Sequence, residues 1–421
     1  MITPLEQYDS QIYELLRQEA ARQSACIRLI PSENYVSKAV MSATGSCLTN
    51  KYAEGYPGKR YYEGQQITDL IESIAIERAK KLFKADHANV QSHSGAVANL
   101  AAYSAVAAPG DTIMGLALPY GGHLSHGWKV NFTSKIFNSV SYELDPETGL
   151  FDFNKIEELA KKHKPKVIIS GASAYPRTID FKTFGEIAHS VGACHLSDIA
   201  HISGLVVAGL HPSPVPYADI VSTTTHKTLR GPRGGMLMCK AALAEAIDKA
   251  VFPGLQGGPH MHTISALAVA LHEADTPEFI NYAKQIIKNA KVLADSLMEK
   301  GFTLFTGGTD NHLILIDLRS KNIPGKKLAK ALDRARIETN YNTIPGDPAK
   351  PFNPNGVRIG TPAITTRGMK EEQMKIIASL IARVADNIDN EEVIAQVGRE
   401  SLLLCSQFPV PDHFIIPSKN L

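Results

Sequence analysis

The hydrophobic positions of the chain follow two patterns that alternate along much of its length. Apolar runs of five or six residues, a length typical of buried strands, predict strands at 112–116, 136–141, 166–171, 193–197, 219–223 and 235–239. Apolar residues with helical spacing predict helices at 11–23, 68–84, 96–107, 155–163, 181–190 and 241–249. Such alternation is typical of a mostly parallel sheet with helices on both faces.

The pattern changes after the segment 253–259, which is rich in Gly and Pro. Long helices are predicted at 263–275 and 278–300, then an alternating strand at 312–318 and helices at 326–336, 369–388 and 391–404. A chain of 421 residues is too long for one simple core. We therefore predict an N-terminal helical arm (1–25), a large α/β domain (26–275) and a smaller C-terminal α+β domain (276–421).

Composition and charge narrow the function classes. The 44 basic and 42 acidic side chains nearly balance, so neither a nucleic acid nor a membrane surface is expected as a partner. The five cysteines are odd in number and scattered, which is typical of reduced thiols in a reducing compartment. No signal peptide and no membrane-spanning run is visible, so a cytoplasmic protein is expected.

The segment Ser222-Thr-Thr-Thr-His-Lys-Thr-Leu-Arg-Gly-Pro-Arg-Gly-Gly235 carries the clearest candidate chemistry. It follows a predicted strand, and parallel sheets bind ligands beyond the carboxyl ends of their strands. Desolvation or a nearby positive charge lowers the pKa of a lysine enough to expose a nucleophilic amine, which makes Lys227 a candidate nucleophile. The hydroxyl groups and Arg230 are candidate ligands for a neighbouring phosphate. A surface lysine in a loop is the alternative.

Two further segments fit the same site. Asp198 ends a predicted strand and needs a partner, because an unpaired buried carboxylate is costly. A protonated pyridine nitrogen suits it, and a structural salt bridge is the alternative. Ser94 and Gly95 open a helix after a short apolar strand, where free N–H groups and the helix dipole favour a phosphate.

Histidines raise the question of a metal site. The close pairs His123/His126 and His260/His262 have no Cys or carboxylate at familiar ligand spacing, so no metal is predicted. His123 follows a Tyr-Gly-Gly exit from a strand, where its ring is placed to stack on a planar cofactor. A core histidine with satisfied hydrogen bonds is the alternative for this residue.

Taken together, these segments and several others resemble the serine hydroxymethyltransferases. The resemblance runs from about Leu29 to the last long helix. The carrying stretches are Leu29-Ile-Pro-Ser-Glu-Asn-Tyr35, Thr49-Asn-Lys-Tyr-Ala-Glu-Gly-Tyr-Pro-Gly-Lys-Arg-Tyr-Tyr62, His93-Ser-Gly95, Gly121-Gly-His-Leu124, Ser173-Ala-Tyr-Pro-Arg177, Thr223-Thr-Thr-His-Lys-Thr228, Gln256-Gly-Gly-Pro259, Gly307-Gly-Thr-Asp-Asn-His312 and Val357-Arg-Ile-Gly-Thr-Pro-Ala-Ile-Thr365.

The resemblance implies the aminotransferase-like fold called type I of the pyridoxal-phosphate enzymes. It also implies the reversible transfer of the serine hydroxymethyl carbon to tetrahydrofolate, which gives glycine and 5,10-methylenetetrahydrofolate. The smallest active unit implied is a homodimer whose sites draw residues from both chains.

The resemblance also implies roles for individual residues. Lys227 carries the cofactor as a Schiff base, Asp198 holds the pyridine nitrogen and His123 stacks on the ring, where it also meets the substrate. Ser173 and His201 lie on the phenolic-oxygen side. The implied phosphate contacts are Ser94, Gly95 and His226, together with Gly257 and Gly258 of the partner chain. His226 is also an implied catalytic residue.

For the substrates, Arg358 grips the carboxylate and Ser32 touches the amino acid. Glu54 is the implied acid or base near the hydroxymethyl group, with Tyr52 and Tyr62 beside it, all reaching across the dimer interface. The positions that resemble folate contacts are Leu118, Gly122, Leu124, Asn342, Pro351 and Phe352.

Three positions depart from the family pattern: Ala96 stands where Ser is common, Leu255 where Gly is frequent and Pro31 where Ala is common. The rival interpretations are a related pyridoxal-phosphate enzyme, such as a threonine aldolase or an α-methylserine hydroxymethyltransferase, and an inactive binding protein on the same fold.

Overall fold

A seven-stranded sheet and a four-stranded sheet organise the computed structural model, which describes residues 4–349 and 352–411. The strands of the described residues are β1 (Ile27–Arg28), β2 (Gly55–Tyr56), β3 (Lys59–Arg60), β4 (His87–Asn89), β5 (Thr112–Leu116), β6 (Asn138–Tyr142), β7 (Val167–Ser170), β8 (Cys194–Asp198), β9 (Ile220–Thr224), β10 (Gly235–Cys239), β11 (Thr303–Leu304), β12 (Leu313–Asp317), β13 (Ile337–Glu338), β14 (Asn340–Asn342) and β15 (Gly356–Gly360).

The α-helices of the same residues surround these sheets. They are α1 (Pro4–Tyr8), α2 (Ser10–Ala25), α3 (Lys38–Thr44), α4 (Gln66–Phe83), α5 (Gly95–Val106), α6 (Thr133–Ile136), α7 (Phe153–His163), α8 (Phe181–Ser190), α9 (Ser203–Val207), α10 (Ala244–Lys249), α11 (Met261–Ala274), α12 (Pro277–Glu299), α13 (Gly325–Arg334), α14 (Pro362–Thr366), α15 (Glu371–Asp386) and α16 (Glu391–Gln407).

The large sheet has the strand order β4-β10-β9-β8-β7-β5-β6. Strands β9, β8, β7, β5 and β6 are parallel, whereas β10 runs antiparallel to both of its neighbours. The predicted fold class, a mostly parallel α/β sheet, is therefore confirmed. The carboxyl ends of the parallel strands meet at one edge, which is where this architecture places ligands.

Alternating side chains of the large sheet enter two different cores. Ile113 packs with helices α5 and α10 on one face, while the next residue, Met114, packs on the face covered by α4, α7, α8 and α11. Val167 and Ile168 divide in the same way. Because successive side chains of a strand point to opposite faces, strands buried on both faces become continuous apolar runs, as the sequence pattern indicates.

A third core lies around the antiparallel sheet β11-β12-β15-β14. Helix α12 begins at a Thr276 cap, whose hydroxyl accepts from Phe279 N, and presents Leu293 and Leu297 to this core. Ile27 and Leu29 pack in the same core, because β1 pairs in parallel with β13.

The predicted elements differ from the observed ones at β6 and β15, among other places. The strand predicted at 136–141 begins at Asn138, because Thr133–Ile136 forms a helical turn. No strand is predicted over Gly356–Gly360, since Arg358 interrupts a short apolar run between two glycines, yet β15 pairs on both sides in the small sheet. None of the helices in the described residues is long and apolar enough to cross a lipid bilayer.

Candidate active site

A cavity of about 550 Å³ lies beyond the carboxyl ends of the parallel strands, against the small sheet. Its volume falls within the roughly 300–1,000 Å³ range of small-molecule sites. The predicted site residues that line it are Ser32, Ser94, Gly95, Leu118, Gly122, His123, Leu124, Ser173, Asp198, His201, His226, Lys227, Asn342 and Arg358.

Lys227 follows β9, and only 8% of its surface is exposed. Burial lowers the pKa of its amine to about 8, an effect that Asp198 partly opposes and that Arg358 and Arg233 reinforce. A much larger fraction of this amine is therefore neutral near pH 8 than of a solvated lysine. A neutral amine inside a cavity is the form that attacks a carbonyl carbon.

Asp198 ends β8 at the floor of the cavity, and its side chain is 10% exposed. His126 Nε2 lies 2.9 Å from its Oδ2 atom, and the Asn99 side-chain amide donates to the same atom over 2.8 Å. Although burial opposes ionisation, the hydrogen bond to His126 and the proximity of His126 and His123 hold the pKa of Asp198 below its ordinary value. The cavity therefore contains a fixed negative charge suited to a protonated ring nitrogen.

His123 lies at the side of the cavity, on the turn after β5. Its Nδ1 atom accepts a hydrogen bond from Ser125 N over 3.2 Å and lies 2.7 Å from Ser125 Oγ. Burial, followed by the proximity of His126, lowers the pKa of His123 to about 4. The ring is therefore neutral at pH 7, and a neutral flat imidazole is suited to stacking on an aromatic ligand.

Helix α5 begins at the cavity with the sequence Ser94-Gly-Ala. Ser94 caps the helix by accepting from Val97 N, while the N–H groups of Gly95 and Ala96 form no hydrogen bond within the described residues. His226 also lines the cavity, and its Nδ1 atom has no partner in the same residues. Burial lowers the pKa of His226 to about 3. Free N–H groups at a helix start are typical of a phosphate-binding site.

A side chain at position 95 would prevent the start of α5 from approaching β9. A Cβ atom built on Gly95 would lie 2.6 Å from the Cγ2 atom of Thr224 on β9. Glycine therefore lets α5 approach the strand that leads into Lys227. Ala96, where serine is common in the family, lacks a hydroxyl group but keeps its backbone N–H. The free N–H donors at the start of α5 are therefore unaffected.

Arg358 reaches the cavity from the middle of β15, opposite Lys227. Its Nε atom donates to the side-chain oxygen of Asn340 over 3.1 Å, and its Nη1 atom donates to the carbonyl oxygen of Ser173. Burial lowers the pKa of Arg358 to about 10, which leaves it charged at pH 7. These bonds hold a cationic fork against the cavity, as carboxylate recognition requires.

Five of the remaining predicted site residues form a second cluster that does not line the cavity. A Cβ atom built on Gly258 would lie 2.9 Å from the ring of Tyr52, and one on Gly257 would lie 3.3 Å from Glu54 Oε1. The Tyr62 hydroxyl accepts a hydrogen bond from Glu54 N over 2.7 Å. Tyr52 is 60% exposed. We call Tyr52, Glu54, Tyr62, Gly257 and Gly258 the outer cluster.

A buried ion network anchors the loop that carries the outer cluster. Arg60 bonds Asp69 over 2.8 Å and Glu72 over 2.6 Å, and it donates to the carbonyl oxygens of Ala53 and Gly55. The side chains of Arg60 and Glu72 are 3% and 1% exposed. The position of Glu54 between these two carbonyl groups is therefore fixed from within the fold.

Some predicted residues lie elsewhere. The expectation that Arg230 would hold a phosphate was wrong, because its guanidinium stacks 4.6 Å from the ring centroid of Tyr282 and does not line the cavity. Phe352 is 66% exposed and also lies outside the lining, and Pro351 is outside the described residues. Leu255 is 38% exposed beside the outer cluster.

Sequence reasoning did not identify several residues that complete the site. Arg233 lines the cavity, but the sequence pattern suggested Arg230, three residues earlier in the same turn, as the phosphate ligand. His126 and Asn99 hold Asp198, and Asn34 bonds the carbonyl oxygen of Lys227. The only signal for His126 was its spacing from His123, which was considered for metal binding alone. Among residues 4–349 and 352–411, no group of three or more His, Cys, Asp or Glu side chains is arranged to hold a metal ion.

The single tryptophan of the sequence lies two residues after His126. Trp128 N donates to the carbonyl oxygen of Leu124, and the Lys129 amine lies 5.9 Å from the indole centroid. The indole therefore belongs to the segment that also carries His123 and Leu124 into the cavity.

Comparison with known proteins identifies the relatives of this chain. The sequence model of the serine hydroxymethyltransferase family matches residues 5–381. Curated proteins called serine hydroxymethyltransferase include one from Desulfotalea psychrophila, 58% identical over 410 residues, which cover 97% of this chain and 96% of the relative. One from Acidothermus cellulolyticus is 59% identical over 96% of each chain, and one from Sorangium cellulosum is 56% identical over 97% of this chain and 96% of the relative.

Proposed function

Since the chain belongs to the serine hydroxymethyltransferase family, we propose that the cavity between the two sheets is its active site and that Lys227 carries the cofactor there. The protein is a pyridoxal-phosphate-dependent transferase that reversibly moves the hydroxymethyl carbon of serine to tetrahydrofolate. The observation that carries the assignment of the site is a lysine with a lowered pKa beside an ionised Asp198 in one cavity.

The cavity offers groups suited to the ring nitrogen, the ring face, the phenolic oxygen and the phosphate of pyridoxal phosphate. Asp198 suits the ring nitrogen, His123 the ring face, and Ser173 and His201 the phenolic-oxygen side. The free N–H groups of Gly95 and Ala96, with Ser94 and the unpaired Nδ1 atom of His226, suit the phosphate. When bound, the cofactor supplies a conjugated, protonated ring that stabilises the electron density left at the amino acid Cα atom.

The protein groups prepare the substrate for that chemistry. Arg358 binds the serine carboxylate through two parallel charge-assisted hydrogen bonds, with Ser32 beside it. A fixed carboxylate determines which Cα bond stands perpendicular to the cofactor ring. Asp198 holds its negative charge in place through His126 and Asn99, so no reorganisation is needed during the reaction.

The folate substrate enters at the outer part of the same cavity. Leu118, Gly122, Leu124 and Asn342 line this part, and Leu124 is 46% exposed. An exposed apolar side chain at a cavity mouth suits an aromatic ring of a second substrate. Phe352 and Pro351 complete the proposed folate contacts.

The outer cluster acts in the cavity of a second copy of the chain, so the active unit is a homodimer. In support, each chain holds the cavity and the outer cluster as separate groups. Tyr52 of the outer cluster is exposed, and so are the large apolar side chains of Tyr61, Ile67 and Leu70, which follow it in the sequence. Glu54 of one chain then exchanges a proton with the serine hydroxymethyl oxygen in the site of the other. Gly257 and Gly258 reach the phosphate there, and Tyr52 and Tyr62 hold Glu54.

The domain division at residues 25 and 275 is part of the same proposal. In support, one main core draws on residues between Ala53 and Ile286 and another on residues from Leu293 onward, so the change of core falls within α12. Ile27 and Leu29, which follow the proposed boundary at 25, pack in the second of these cores. A cytoplasmic location is supported by the five unpaired cysteines.

Two measurements test the proposal. Serine turnover with and without tetrahydrofolate separates it from a folate-independent aldolase, which would run at equal rates in both. Borohydride reduction of the cofactor-loaded protein, followed by peptide mapping, identifies the lysine that carries the cofactor. We expect the label on Lys227, and a label on another lysine overturns the assignment.

A further inference from the structure

His312 lies immediately before β12, is completely buried and does not line the cavity. Its Nε2 atom lies 3.4 Å from the Nδ1 atom of His201, and the two rings stack with centroids 5.6 Å apart and planes 23° apart. The other ring nitrogen of His312, Nδ1, has no hydrogen-bond partner among the described residues.

Both imidazoles are neutral in this environment. Burial lowers the pKa of His312 to about 3, and Arg358 and Lys227 add to the effect. Burial also lowers the pKa of His201 well below its ordinary value, again with Lys227 and Arg358 contributing. Each ring therefore carries one N–H group, and one of these protons lies between His312 Nε2 and His201 Nδ1.

The environment of His312 decides which ring donates that proton. If His201 donated, the N–H group of His312 would lie on Nδ1, buried and without an acceptor. If His312 donates from Nε2, only a lone pair is left at Nδ1. Orphaned buried N–H groups are the rarer case in proteins, and an unmet donor costs about 1–3 kcal/mol. His312 is therefore the donor and His201 the acceptor.

This assignment determines what His201 presents to the cavity. With its Nδ1 atom accepting, the proton of His201 lies on Nε2. No hydrogen bond to that atom is formed within residues 4–349 and 352–411, and His201 lines the cavity. The backbone of His201 is also held, because the Thr228 hydroxyl donates to its carbonyl oxygen over 2.9 Å.

We propose that His312 is a positioning residue that fixes His201 in the tautomer with an N–H group aimed into the cavity, where it donates to an anionic oxygen of the ligand. This inference rests on the proposed function, in which that oxygen is the phenolic oxygen of pyridoxal phosphate. It adds a residue that touches neither cofactor nor substrate and acts through its neighbour.

The test compares His312→Gln with His312→Leu. The glutamine amide keeps an N–H donor close to the position of Nε2, whereas leucine fills the volume without a donor. The binding of pyridoxal phosphate to each apo-protein is titrated by absorbance, and thermal unfolding checks that each variant is folded. We expect the Leu variant to bind about tenfold more weakly, with a shifted absorbance band, and the Gln variant to stay within about threefold of the parent.

Ring-nitrogen NMR of the 15N-histidine-labelled parent apo-protein gives a direct reading of the tautomers. We expect the proton of His201 on Nε2. A proton on Nδ1, or a folded Leu variant with unchanged affinity and spectrum, overturns the inference. The NMR result decides the matter if the Leu variant does not fold. Failure of the proposed function has a different signature, since the parent protein itself would then bind no pyridoxal phosphate or would carry it away from Lys227.

Discussion

The side-chain amide of Asn34 donates a hydrogen bond to the carbonyl oxygen of Lys227 over 3.0 Å. The same amide donates to the Tyr282 hydroxyl over 2.8 Å, and its oxygen accepts from the Thr366 hydroxyl over 2.7 Å. One short side chain thus connects the backbone of the lysine to α12 and α14. Asn34 also lies two residues from Ser32, so the substrate loop and the lysine share one anchor.

Replacing Asn34 by Asp keeps the size and the accepting oxygen but removes both N–H donors. A carboxylate oxygen then faces the carbonyl of Lys227, so we expect the lysine backbone to shift. A displacement on the order of 1 Å at a reacting group costs about 10²-fold in rate, and we expect kcat to fall by this factor with a smaller change in KM for serine. Steady-state kinetics of Asn34→Asp measure both.

Thr366→Val is the matched control, because it removes the hydroxyl that bonds Asn34 and Tyr282 but leaves both N–H donors of Asn34 in place. We expect a loss of less than about tenfold for this variant, since only neutral hydrogen bonds are lost and the bond to Lys227 is kept. If Asn34→Asp retains the parent kcat, the connection to Lys227 has no role in placing the amine.

The lowered pKa of Lys227 predicts how the apo-protein captures pyridoxal phosphate as the pH changes. Only the neutral amine attacks, and burial brings its pKa to about 8. We therefore expect the capture rate to rise about tenfold per pH unit below pH 8 and to level off above it. Stopped-flow absorbance between pH 6.5 and 9.5 measures the profile, with a free lysine derivative as the reference. A midpoint near the value of the free derivative would contradict the burial argument.

Arg358→Lys tests the carboxylate clamp. Lysine keeps the positive charge but loses the planar fork and the bonds to Asn340 and Ser173 that orient it. We expect kcat/KM for serine to fall about 30-fold or more, the cost of a charge-assisted pair, while the absorbance of the bound cofactor is unchanged. A normal KM for serine in this variant would place the carboxylate elsewhere.

Arg60→Gln tests the anchor of the outer cluster. The change leaves Glu72 buried without its cation, so we expect the free energy of unfolding to fall by about 3–5 kcal/mol. Serine turnover should fall as well, because Glu54 loses its fixed position, while the capture of pyridoxal phosphate by Lys227 is retained. Urea unfolding at fixed protein concentration and kinetics measure the two effects. Lys59→Gln, at the exposed neighbouring position, is the control and should leave both unchanged.

Mixed dimers test whether sites are shared between chains. Lys227→Ala damages the cavity and Glu54→Gln damages the outer cluster, so each variant alone is inactive. In a dimer of one chain of each kind, one site combines both intact parts. With random pairing, about one quarter of the parent activity should return. The chains are co-expressed with different tags and compared with each variant alone. No recovery in purified mixed dimers would place Glu54 in the site of its own chain.

The sequence predicted the parts of the site that follow regular elements. Asp198, Lys227 and Ser94 each lie at the end of a strand or at the start of a helix, where the pattern and the rule for parallel sheets agree. Their assignment to a pyridoxal-phosphate enzyme of this family is confirmed by the relatives, whereas their individual roles remain proposals.

What the sequence did not predict depends on contacts between distant segments. Asn34 and His312 have ordinary local surroundings, and only the folded chain brings them to Lys227 and His201. Arg230 and Arg233 are equivalent in the pattern, yet the left-handed backbone at Arg230, with φ of 60°, directs that side chain to Tyr282. Tertiary geometry therefore decides between residues that local chemistry cannot separate.

The fluorescence of Trp128 provides an intrinsic signal for ligand binding in the cavity. With one indole in the whole chain, emission excited above the tyrosine band comes from a single place, next to the segment that carries His123 and Leu124. Energy transfer from this indole to a bound chromophore dims that emission. The binding of the cofactor to unlabelled protein can thus be followed as a decrease in tryptophan fluorescence, whether or not any serine is turned over.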